Sequence, residues 1–139
     1  MTWNGSSRLA AIIGGALALA AAPALAHHSF AMFDQKKVMT LEGRVHEFQW
    51  TNPHSFIELE TSTGGTARRW SIELNSPNNL TRQGWKRTSL KAGETISVRI
   101  APLRNGHPGG LFLDLKKADG KVLDSGLPKD GTPVNVPQL

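Results

Sequence analysis

Five histidines, His27, His28, His46, His54 and His107, hold most of the chemistry open to this sequence. There is no cysteine, which excludes disulfides, thiolate metal sites and thiol nucleophiles. His27 and His28 directly follow Ala24-Leu25-Ala26, a small-x-small pattern that signal peptidase accepts. Cleavage after Ala26 would give His27 a free α-amine, able to chelate a metal together with Nδ1 of the same ring. An α-amine titrates near ~7.7–8 and an imidazole near ~6.5, so a metal displaces both protons easily. Nitrogen-rich tetragonal sites of this kind favour Cu(II). His54, just behind Asn52-Pro53, is the best candidate for a third nitrogen, and His28 is a local alternative. Copper is therefore the expected cofactor, at His27, His28 and His54. The plainer reading is a polar, solvated start at His27-His28 and a loop hydrogen bond at His54. His46 and His107 read as surface residues.

The aromatic residues form a second constellation: Phe48, Trp50, Phe56, Trp70 and Trp85, with no tyrosine in the chain. Several tryptophans in a small β domain are mostly core or rim. Their functional alternative is a stacking platform, for which Trp50, Asn52 and Trp85 are the candidate ligand-binding residues. An envelope protein or glycan is the partner such a face would suit. Nucleic acid is not expected, because the basic residues are scattered in pairs such as Lys36-Lys37 and Arg68-Arg69. Glu47, Glu58, Glu60 and Glu73 fall on the polar faces of predicted strands, and nothing pairs two of them as acid and base. No Ser-His-Asp arrangement is recognisable. A binding protein without catalytic activity is expected.

These residues need an address and a scaffold. Arg8, the uncharged Leu9–Ala22 run and the Ala24-Leu25-Ala26 site together read as a signal peptide over residues 1–26. The run is shorter than the roughly 20 residues of a spanning helix and is rich in Ala and Gly. The protein is thus expected in the periplasm or secreted, with no transmembrane anchor after cleavage. The net charge is +5, one unit of which is Arg8. The remaining chain is long enough for one domain, expected over 27–124, with a loose Pro-rich tail over 125–139.

Apolar residues past the signal recur mostly with period two, the strand period. A first long strand from Met39 changes parity near His46-Glu47, which predicts a bulge. Further strands are expected at Ser55–Thr61, Ala67–Leu74, Thr95–Ala101, Leu111–Lys117 and Lys121–Leu123, with Gly64-Gly65 and Gly109-Gly110 in turns. On the Leu111–Lys117 strand, Leu111, Leu113 and Leu115 should share one side. Ser76-Pro77 and Gly84 bracket a short helix over Pro77–Gln83. A helix between the third and fourth strands is the order of a small OB-like Greek-key β-barrel, an all-β fold. An open β-sandwich is the alternative.

Several strings in order also resemble a family of small exported bacterial proteins of unknown function. They are the His27-His28-Ser29-Phe30 start, the Trp50-Thr51-Asn52-Pro53-His54 segment, Trp70–Leu74, Gly84-Trp85-Lys86-Arg87 and Leu90–Glu94. The resemblance spans nearly all the chain past the signal. It implies a secreted single β domain and carries no activity, ligand or catalytic residues.

Overall fold

A computed structural model describes residues 30–126, so His27, His28, the predicted signal and the tail beyond Gly126 lie outside the described residues. Six strands and one helix follow in order. They are β1 (Met39–Gln49), β2 (Phe56–Thr63), β3 (Thr66–Glu73), α1 (Pro77–Arg82), β4 (Thr95–Pro102), β5 (Gly109–Lys117) and β6 (Val122–Asp124). A single 3-10 turn, Phe30–Met32, precedes them.

The strand order is β3-β2-β1-β4-β5-β6, with an additional β3–β5 pairing that closes the first five strands into a barrel. All neighbours are antiparallel except β3 and β5, which run parallel over Ser71–Glu73 and Gly109–Leu111. With α1 between β3 and β4, this is the OB-like barrel that the pattern of strands predicted.

One long strand serves two neighbours. Residues Met39–Arg44 of β1 pair with β4, and Arg44–Gln49 pair with β2. The register shifts between Val45 and Glu47, at the expected parity change. Leu41 and Val45 point inward before the shift, and Phe48 packs on the core after it. At Gly43, where β1 leaves β4's partner range for β2, a Cβ would lie 2.3 Å from the carbonyl oxygen of Glu60. Only glycine admits that approach.

The fifth strand corrects two expectations. Gly109 and Gly110 are strand residues and not a turn. A Cβ on Gly110 would meet the Ala101 oxygen at 2.6 Å, so the closing strands need its bare backbone. A second register shift, between Arg99 and Ile100, reverses parity along β5. Phe112 and Leu115 therefore enter the main core, while Leu111 turns outward to a smaller cluster with Phe33 and Ala101. The 3-10 turn covers that outer face: Phe33 bridges to Leu103, and the backbone N–H of Asp34 donates to Pro102.

α1 starts as its sequence demands. Ser76 accepts from the backbone N–H of Asn79, and Pro77 occupies the first turn. Leu80 is its buried residue, and Gly84, at φ +86°, turns the chain away. Trp85 follows into the core. Ser125 also packs on the fold, 7% exposed with its N–H donated to Leu113.

Candidate functional site

His54 sits in the short connection between β1 and β2, behind a cis Asn52-Pro53 bond. Thr51 Oγ1 donates to the His54 carbonyl at 3.0 Å, fixing the turn. The β2–β3 ladder continues one step beyond the strands on this side: Ser55 N–H donates to Asn75, and Leu74 N–H to Ser55. These bonds hold His54 against the end of β3. Its Nδ1 lies 2.5 Å from Oε1 of Glu73, with the two side chains 32% and 13% exposed.

A cavity opens beside this pair. Phe30, Phe33, Leu74, Leu111 and Phe112 form its apolar walls, and His54, Glu73 and Ser125 are among its polar groups. Phe30 is brought there by the 3-10 turn, which Arg104 ties down: its Nε donates to Ala31 at 3.0 Å and its backbone N–H to Met32 at 3.0 Å. The first described residue therefore borders the same space as His54.

Among the described residues no group of three or more His, Asp or Glu side chains is arranged to hold a metal. Of the expected ligands, His54 is placed with Glu73, and His27 and His28 lie outside the described residues. Glu73 was expected only as a polar-face residue. The hairpin shows how it could have been found. Counting back from Gly64-Gly65 sets Phe56 opposite Glu73 and places His54 two residues further along the same face.

The aromatic platform does not assemble. Trp85 is 1% exposed and sits edge-on to Phe112, centroids 5.4 Å apart, with Nε1 donating to the Asp124 carbonyl at 3.0 Å. Enclosed on all sides, its ring has no face for a ligand, which corrects its assignment to a binding surface. Trp50 is half-buried and packs edge-on against Phe48, at 5.7 Å. Asn52 is exposed beside it. Trp70 carries the Arg68 guanidinium over its ring at 5.3 Å, on a different part of the barrel.

The other described histidines are exposed, as expected. His46 joins a surface network in which Arg69 Nη2 donates to Glu60 Oε1 at 2.6 Å and His46 Nδ1 lies 3.2 Å from the same oxygen. The hydrogen bond from Arg69, ahead of the charges of His46, Arg69 and Arg44, holds the Glu60 carboxyl below its ordinary value. Arg99 and Asp114 form a two-bond pair between β4 and β5, Nε donating to Oδ1 at 2.9 Å and Nη2 to Oδ2.

The model of a family of unknown function, DUF6152, matches residues 16–114. The chain belongs to that family. The DUF6152 match takes in His54 and Glu73 and ends on β5, before β6. Among solved structures, a mitochondrial single-stranded-DNA-binding protein from S. cerevisiae is similar at 13% identity and a TM-score of 0.45, covering 65% of this chain and 96% of that one. No curated protein matches the chain.

Proposed function

We propose that this DUF6152 protein is an exported, non-catalytic binding protein whose processed N-terminus takes Cu(II). His27 supplies the α-amine and Nδ1, and His54 supplies a third nitrogen. One observation supports this reading above the rest: Phe30, three residues after His27, borders the same cavity as His54. At no more than ~3.6 Å per extended residue, His27 can lie no further than about 11 Å from Phe30. With Nδ1 of His54 set against Glu73, Nε2 is the ring atom that would face a metal. Metal-bound histidines are commonly oriented by a carboxylate on the other nitrogen, and this raises their basicity. The copper would be carried or sensed.

The test is electron paramagnetic resonance of Cu(II) added to the chain beginning at His27. Two controls decide it, one with the His27 α-amine acetylated and one with His54→Gln. The expected result is a nitrogen-rich tetragonal spectrum that changes in both controls. An unchanged spectrum with the acetylated amine would end the proposal. Mass spectrometry of the exported protein should find His27 first.

A further inference from the structure

The cavity beside His54 is larger and more apolar than a metal ligand requires. We infer that it is a binding site for a single-ring aromatic molecule bearing a hydrogen-bond donor, of which phenol is the simplest. Its volume is about 210 Å³. An apolar cavity of about 150 Å³ already accepts benzene, so one substituted ring fits. Four of the wall residues, Phe33, Leu74, Leu111 and Phe112, are between 1% and 6% exposed. The core and the outer cluster fix them, so the walls exist before any ligand arrives. Apolar walls with a few polar groups to one side are the usual make-up of a small-molecule site.

Glu73 sets the head group. A carboxylate only accepts hydrogen bonds and offers about four lone-pair sites, of which the contact with His54 Nδ1 uses one. At 13% exposure this side chain is poorly served by bulk water, so a donor on the ligand gains from meeting it. A ligand carboxylate in the same place would be repelled. Asn75 and Asn79 also border the cavity, but the Asn79 amide donates to Asn75 Oδ1 at 2.8 Å. Both amides are neutral, and Glu73 is the one carboxylate among the described lining residues, so it is the group that tells a donor from an anion. The site needs no metal and so stands apart from the copper reading, although both use the His54 corner.

The experiment uses the chain beginning at His27 with its α-amine acetylated, in which the amine chelate is blocked. Failure here therefore leaves the copper proposal untouched, and failure of copper binding leaves this one untouched. Phenol, benzene and benzoate are titrated separately, and the leucine methyl groups are followed by NMR. Phenol is expected to saturate at millimolar concentration, with nuclear Overhauser effects to the Leu74 and Leu111 methyls, and to bind at least tenfold more tightly than benzoate. In Glu73→Gln the preference for phenol over benzoate should fall to threefold or less. No response of Leu74 and Leu111 to any probe overturns the proposal. Equal binding of phenol and benzoate to the protein with Glu73 intact also overturns it, whether or not the variant folds.

Discussion

His54 and Glu73 meet because a hairpin register places them on one face, whereas Glu60 and Arg69 meet openly on the surface. The second pair is the easier to test. Its carboxyl is held below the ordinary value of 4.5, chiefly by the Arg69 hydrogen bond. A depressed folded value means that the pair's contribution is present above the unfolded value and is lost as pH falls through the folded one. In a carbon-detected NMR titration Glu60 should titrate below the ordinary glutamate value, and Arg69→Ala should move it back up. Global stability should change little, since both side chains are about half exposed and surface pairs are weak. Residue type alone made His54 legible as a candidate ligand. Glu73 was hidden because a carboxylate on a strand's polar face looks the same whether or not a partner stands across the hairpin. Trp85 misled for a related reason: an indole reads alike in a core and on a platform until its N–H partner, here the Asp124 carbonyl, is known.

At the scale of elements, the turns and the period of the apolar residues carried most of the information. Ser76-Pro77 and Gly84 bounded α1 within a residue, because a cap, a proline and a left-handed glycine each act locally. Ser76→Ala removes the side-chain acceptor for Asn79 N–H and should cost about 1 kcal/mol in urea denaturation. The bulge in β1 was legible as a parity change, with Val45 before it and Phe48 after it. The one in β5 was not, because Leu111, Phe112 and Leu113 are all apolar and give parity no contrast. Close approach of strands is likewise silent in sequence. Gly43→Ala should be destabilising by about 1–3 kcal/mol or more, since its Cβ meets backbone, which cannot swing aside as a side chain can. A variant as stable as the parent would mean that β1 and β2 stand further apart than described.

At the scale of the whole molecule, the barrel order could be anticipated from one helix placed between the third and fourth strands. Its closure could not, because the β3–β5 seam joins residues about forty positions apart through three pairs. What braces the barrel from inside is Trp85, which fills the space between β5 and the end of β6. Trp85→Ala should cost about 3–5 kcal/mol. Trp85→Phe, which keeps an aromatic ring but drops the bond to Asp124, should cost about 1–3 kcal/mol, much of it from the loss of that buried bond. Thermal melts of the two variants would rank them. One arrangement bears on how the protein should be handled. Phe30 and Ser125, near the two limits of the described chain, border the same cavity. A label attached at Phe30 or Ser125 would stand beside that cavity and crowd it. The exposed Gly64-Gly65 turn of the β2–β3 hairpin, where an added Cβ would meet nothing within 4 Å, is the better place to attach a label.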